Sequence, residues 1–306
     1  MTAALPTPLS PADAPPKSVA TLNVHTCVGH SHVDLTITCL SSLLRFSADP
    51  LSIIIHEDGS LTPDDRARLD AALHHPRIID RKTADAQMHE LLRPFPNLQR
   101  FRAANFFAIK ILDVSLLTSD PLIAYCDCDI LFLKPFKNLY HIPPGAGGIM
   151  MHDFESAYSI RSWHLLAHPS LRLAKDVNAG LVCLHRSSLD LHLLERFLSL
   201  PCSSTKKYFT EQTSWALLAH HKKFHLYHPR HVCFPRPPIP DSAIALHVVA
   251  SSRSQLPTLL AQRPSTAPCP PAAIPTLPAR RCRFHHLAAY ETQRILSRLS
   301  KKLRKP

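Results

Sequence analysis

No apolar run in this 306-residue chain reaches the roughly 18 residues that a membrane-crossing helix needs. The opening stretch, MTAALPTPLSPADAPPKS, lacks the basic start and apolar middle of a secretory signal; residues 1–18 are expected as a Pro-rich disordered leader. The pattern G-x-x-x-x-G-K-[ST] occurs nowhere, which argues against a P-loop kinase or ATPase. Aromatic residues make up only 7%, little stacking surface for a nucleic-acid binder despite a pI near 9.5. No internal repeat of solenoid length is visible.

Nine cysteines are an odd number, and most sit inside apolar segments such as LVCLH and IAYCDCDI, where cysteine acts as a small core hydrophobe. A reduced, cytoplasmic setting is the simpler expectation. The close pair Cys126-x-Cys128 has the wrong spacing for a zinc knuckle.

The formal charge of +12 is unevenly placed. From Arg253 onward there are eleven Lys/Arg and one acid, against 24 Lys/Arg and 22 acids before it. A nearly neutral body therefore carries a strongly basic tail. That location speaks against nucleic-acid binding by the body. The tail suits either a capping helix with a solvated end, or an anionic membrane surface or partner.

Between residues 19 and 252, strand-like and helix-like stretches alternate, which predicts an α/β sandwich with a largely parallel sheet. Strands are expected at 19–28, 51–57, 77–80, 121–133, 147–152, 179–185, 224–228 and 243–249. Helices are expected at 33–47, 62–73, 84–93, 98–118, 188–199 and 210–222. Thr62, followed by Pro63, Asp64 and Asp65, has the make-up of a helix start. Residues 253–284, rich in proline, are expected as a linker, and residues 285–306 as a basic helix with Leu287, Tyr290, Leu296, Leu299 and Leu303 roughly on one side.

The sharpest feature is IAYCDCDILFLKP, residues 123–135, an apolar strand that contains Asp127 and Asp129. Two carboxylates in such a run cost several kcal/mol to desolvate unless something pairs with them. Strand alternation puts both on one face, within reach of one hard cation. Mg²⁺ typically takes one or two carboxylates and completes its shell with phosphate oxygens. A bare D-x-D tripeptide in a solvated loop would mean little; the buried strand around it favours a metal.

With its preceding helix RFRAANFFAIKILDVSLL, this stretch resembles the D-x-D segment of nucleotide-sugar glycosyltransferases of the GT-A fold. Among these it is most similar to the retaining hexosyltransferases related to glycogenin and the bacterial galactosyltransferases. The resemblance implies a Rossmann-type α/β/α sandwich and a metal-dependent hexosyltransferase. It also implies Mn²⁺ or Mg²⁺ as cofactor, a nucleotide-diphosphate sugar (a UDP-sugar favoured) as donor, and a glycan, lipid-linked or protein acceptor. Lys110 matches a basic position near the donor phosphates, or is an ordinary surface lysine. Asp58 in LSIIIHEDGSL matches an acid that contacts the nucleoside, although Asp-Gly is also turn chemistry by itself. Thr26 and Cys27 fall where the first strand lines the nucleotide pocket, while His25, His30 and His32 read as scattered surface histidines. VNAGLVCLHR is similar to the family's Asn-Ala-Gly segment: Gly180 would let the backbone approach a sugar, and Asn178 would bond hydroxyls. Asp153 falls where these enzymes carry an acid.

Glu211-Gln212 stands where the family has Asp-Gln, so the geometry of the longer Glu cannot simply be carried over; a capped helix start explains the same residues. His247 in AIALHVV matches a third metal ligand, or is a core histidine. The Lys-Pro-Trp-like segment that often follows is replaced by VASSRSQLP, where only Arg253 could serve the diphosphate. Retention needs no strong base; inversion requires a carboxylate, for which Glu211 and Asp153 are the candidates. A sugar nucleotidyltransferase resembles this fold but opens on a Gly-rich loop with Arg and Lys, which HTCVGHSH is not. The remaining alternative is a binding protein on a degenerate version of the fold.

Overall fold

The computed structural model describes residues 21–261 and 271–303; the expected leader lies outside the described residues. The strands are β1 (Leu22–Val28), β2 (Leu51–Glu57), β3 (Arg77–Ile79), β4 (Leu122–Cys126), β5 (Ile130–Phe132), β6 (Phe136–Lys137), β7 (Gly148–His152), β8 (Val177–His185), β9 (His225–Tyr227), β10 (Val232–Cys233), β11 (Ala245–His247), β12 (Ala272–Ala273) and β13 (Thr276–Pro278). The helices are α1 (Val33–Phe46), α2 (Pro63–Ala72), α3 (Arg81–Leu91), α4 (Pro96–Ala104), α5 (Ala108–Ile111), α6 (Asp113–Leu116), α7 (His164–Ala167), α8 (Leu191–Leu198), α9 (Thr210–His221), α10 (Leu256–Ala261) and α11 (Phe284–Leu303).

An eight-stranded sheet in the order β13-β9-β7-β8-β4-β1-β2-β3 forms the centre. β1 pairs in parallel with β2 and β4, and β2 with β3; β8 and the edge strand β13 run against their neighbours. The sheet is thus mostly parallel. Alternation sends successive side chains of a strand to opposite layers. Val24, Ile53, Ile55, Ala124 and Cys126 enter one core, and Cys27, Ile123 and Tyr125 the other. A small sheet β10-β11-β5 lies beside the carboxyl end of β4. The eight described cysteines are unbridged, and six of them are buried. No helix among the described residues is long and apolar enough to cross a membrane.

Thr62 caps α2 as its sequence predicts: its side chain accepts from Asp65 N, and Asp65 reaches back to Thr62 N. The caps Asp80 and Asp190 start α3 and α8 several residues away from the boundaries expected by periodicity.

Three expectations are corrected. The strand expected over 121–133 is broken by the acid pair itself, which turns the chain between β4 and β5; Ile130 N donates to Asp127 O at 3.3 Å. The helix expected over 98–118 is three short helices. Asn105 leaves helical geometry and its Oδ1 accepts from Phe107 N at 2.9 Å, a local bond that competes with the helix. The segment 253–284 is not a free linker where it is described. It supplies α10, pairs β12 with β6, and adds β13 antiparallel to β9. Proline, having no N–H, is tolerated at such a sheet edge. Cys269 lies outside the described residues.

Arg102 Nε and Nη2 clamp Asp113 at 2.7 and 2.6 Å, pinning α4 to α6 around the turn that carries Lys110. Removing one partner of such a buried pair strands the other. We expect Asp113→Ala to cost roughly 3 kcal/mol of unfolding free energy, measured by urea denaturation; a cost near zero would show that Asp85, 2.7 Å from Arg102, suffices alone.

Candidate active site

The carboxyl ends of β1, β2 and β4 face a cavity of about 540 Å³, where ligands of open α/β sheets gather. Its wall includes Cys27, Asp58, Lys110, Asp127, Asp129, Asp153, Asn178, Gly180, Glu211, Gln212, His247 and Arg253. Residues widely spaced in sequence are brought together here by strand order. Asp127 N donates to Gly180 O at 2.7 Å, locking the start of β8 to the acid turn. On the other side β11 pairs antiparallel with β5, placing His247 opposite Ile130.

The two carboxylates are compensated by cations from three elements. Lys110 Nζ lies 2.6 Å from Asp127 Oδ1, which also accepts from Tyr125 OH at 2.6 Å. His247 Nε2 lies 3.1 Å from Asp129 Oδ1 and 3.7 Å from Asp127 Oδ2, and Arg253 Nη2 3.4 Å from Asp129 Oδ2. Burial pushes the Asp129 carboxyl up, yet His247, then Lys110 and Arg253, outweigh it and hold the pKa below the ordinary carboxylate value. Burial opposes the charge on His247 and Lys110 too, but the acids prevail and raise both.

Asp127, Asp129 and His247 each offer a ligand atom, all within 4.8 Å of one another. Asp129 Oδ1 is buried and closes no well-directed hydrogen bond. Two carboxylates and an imidazole suit a hard or borderline divalent cation, so the donor set fits one.

Gly180 gives His247 its place. A Cβ there would stand 2.8 Å from His247 Cε1 and Nδ1 and 3.0 Å from Asn178 Oδ1. The Phe234 ring stacks on the same imidazole, centroids 5.4 Å apart. Gly180 thus makes room for a histidine, and it is also on the cavity wall. Asn178 is likewise engaged: its Oδ1 accepts from Gly180 N at 2.9 Å and its Nδ2 donates to Asp153 Oδ2 at 3.1 Å. Gln212 Nε2 reaches the same oxygen at 3.4 Å and Ala157 O at 3.2 Å. Burial raises the Asp153 pKa to about 6 against the pull of Asn178. Burial likewise raises Glu211 to about 7, with Lys110 opposing and Asp127 adding to the shift.

The remaining expected residues divide. Asp58 is on the wall, and its Oδ1 accepts from Ser60 N at 2.9 Å, so pocket and turn roles coexist. Gly29 makes room for it, since a Cβ at that position would lie 2.1 Å from Asp58 Oδ2. Thr26 is fully buried and not on the wall; alternation turns Cys27 to the cavity instead. One of the histidines expected at the surface is corrected, and a second has a partner there. His25 is buried against His56 (Nδ1 to Nε2, 2.8 Å), where desolvation lowers their pKa values to about 4 and about 3. His32 Nε2 accepts from Arg253 Nη1 at 3.0 Å at the cavity wall. Tyr125, Gly29, His32 and Phe234 were not foreseen as site residues. Gly29 could have been, as one of only six glycines and the residue that follows β1.

Two outcomes are expected. Gly180→Ala should push His247 aside and weaken Mn²⁺ binding roughly tenfold or more, read by titration calorimetry. For Glu211, a folded pKa above the ordinary 4.5 means the unfolded chain holds fewer protons between about pH 4.5 and 7. Stability therefore falls as pH rises through that window. With metal chelated, Glu211→Gln should gain on wild type by roughly 3 kcal/mol between pH 4.5 and 8, measured by chemical denaturation at each pH.

No protein-family model and no curated protein matches this sequence. Solved structures do match in shape. Mouse xyloside xylosyltransferase 1 superposes with a TM-score of 0.54 at 12% identity, over 76% of this chain and 99% of that one. Galactosyltransferase LgtC, solved with donor and acceptor sugar analogs, gives 0.48 at 9% identity, over 80% and 98%. With the sheet order and the acid turn already described, the likeness to the xylosyltransferase identifies this chain's architecture as the GT-A glycosyltransferase fold.

Proposed function

We propose that this chain is a metal-dependent glycosyltransferase that moves a hexose from a nucleotide-diphosphate sugar, a UDP-sugar favoured, to a glycan, lipid-linked or protein acceptor. The observation that carries the reading is the convergence of Asp127, Asp129 and His247 at the strand ends beside a cavity of about 540 Å³. These three would hold Mn²⁺ or Mg²⁺. A bound cation of this kind neutralises charge developing on the departing diphosphate.

The chain's own residues set the rest. Lys110 and Arg253 balance the acid pair and bring positive charge to the wall, where Arg253 stands in for the missing Lys-Pro-Trp-like segment. Asp58 offers a carboxylate to ribose hydroxyls or a base N–H. Asn178 aims Asp153, and Gln212 shares that acid, so the sugar end of the cavity is a hydrogen-bonded cluster. An acid titrating near 6 or 7 can change protonation state at neutral pH. Asp153 or Glu211 would thus supply the base for inversion, while retention would use the same groups to bind hydroxyls.

The test is nucleotide release from a panel of UDP- and GDP-sugars with Mn²⁺, for wild type and Asp129→Ala. Slow metal-dependent release from one donor, lost in the variant, is expected. No release from any donor, together with no nucleotide or metal binding by calorimetry, would overturn the proposal in favour of a binding role.

A further inference from the structure

Helix α11 is two different surfaces placed end to end. Its first turns belong to the body. Leu287 and Tyr290 are buried, Glu291 Oε2 accepts from Ser162 Oγ at 2.9 Å, and the Lys206 ammonium lies over the Tyr290 ring at 5.5 Å. One turn later the packing stops. Ile295, Leu296 and Leu299 are 58%, 60% and 51% exposed, although they are the large apolar residues of that stretch. A rotation of about 100° per residue gathers these three within one arc. From Arg294 onward the sequence adds six Lys/Arg and no acid.

The unpacked half begins beside the cavity mouth. Arg294 Nη1 donates to Tyr290 OH at 2.8 Å; burial raises the Glu155 carboxyl pKa, and the Arg294 guanidinium is close enough to oppose that rise. Glu155 and the half-exposed Phe154 are both on the cavity wall. Elsewhere on that wall stand two more exposed aromatics, Phe106 and Tyr208. Trp163 and Leu166, also exposed, adjoin the Ser162 that Glu291 holds.

We propose that the projecting half of α11, with the aromatic lip beside it, docks on an anionic lipid bilayer and presents the cavity mouth to that surface. Apolar side chains gathered in one arc among cations are what an interfacial helix needs: the arc enters the headgroup boundary and the cations meet anionic lipid. Tyr and Trp rings suit the same boundary, with an apolar body and a polar tip. A second copy of the chain is a poorer occupant. Three side chains offer far less area than a stable dimer buries, and two segments whose sequences each bring six Lys/Arg and no acid repel.

The inference does not rest on the catalytic reading, and its test separates the two. Full-length protein is sedimented with vesicles of phosphatidylcholine alone, or mixed with phosphatidylserine, at low and high salt. Wild type is expected to bind the mixed vesicles and not the neutral ones, and to be released by salt. The triple variant Ile295→Ser, Leu296→Ser, Leu299→Ser should bind roughly tenfold more weakly with an unchanged melting temperature, because these side chains are exposed. Asp129→Ala should bind as wild type does, whatever becomes of its turnover. Absence of binding, equal binding to both vesicle types, or full binding by the triple variant would each overturn the proposal. Dimers that form without vesicles and vanish in the triple variant would assign the face to a second copy instead.

Discussion

Two carboxylates at the end of a buried strand must be answered by positive charge, and much of the site is arranged to supply it. Asp127 and Asp129 are drawn in from water at 14% and 11% side-chain exposure. A lysine from the α4–α6 segment, a histidine from β11 and an arginine from the turn after β11 converge on them. None of these is near the acids in sequence. Two of them are delivered by elements whose own packing is apolar: α5 by Ala108, Ile109 and Ile111, and β11 by Ala245 and Leu246. The charges sit on rigid supports, so they need little reorganisation to face a cation or a diphosphate.

Space is the second constraint, and it is set by what is left out. At Gly180 and Gly29 a methyl group would strike His247 or Asp58. In both places the missing Cβ admits a functional side chain of the protein itself. The imidazole of His247 lies close to the Gly180 backbone and stacks on the Phe234 ring, with Nε2 toward the acids. Asn178 behaves in the same way: both ends of its amide are spent inside the protein, which makes it a support for Asp153. Asn178 and Gly180, which resemble substrate contacts in sequence, thus line the cavity and also brace other residues of its wall.

How far the sequence could be read depended on the range of the forces involved. Strands β1, β2, β4 and β8 were legible because each is a local run of apolar residues, and Thr62 because its capping partners lie within three residues. The acid pair stood out because carboxylates in such a run are costly. Asn105 hid the break in the helix, since its bond to Phe107 N competes with a pattern that otherwise looks continuous. Of the two neighbours expected on the wall, alternation brings Cys27 to the cavity and leaves Thr26 buried away from it. His25 and His32 looked alike among 21 histidines, yet one pairs with His56 in the core and the other meets Arg253, 221 residues away. Contacts over such separations leave no local pattern.

The proline-rich stretch shows the same limit at the level of a whole segment. Composition alone gives 253–284 the look of a spacer, because proline resists both helix interiors and central strands. A sheet edge needs neither. There Thr276 to Pro278 lie along β9, Ala279 N donates to Phe224 O at 2.9 Å, and Cys282 N to Leu173 O at 2.8 Å. This return of the chain delivers α11 to the cavity side of the molecule, with Leu287 and Tyr290 seated on the body. Without the edge pairing, the basic helix would be tethered loosely. With it, the first turns of α11 are held against the body, and Arg294 stands at Tyr290, next to Glu291.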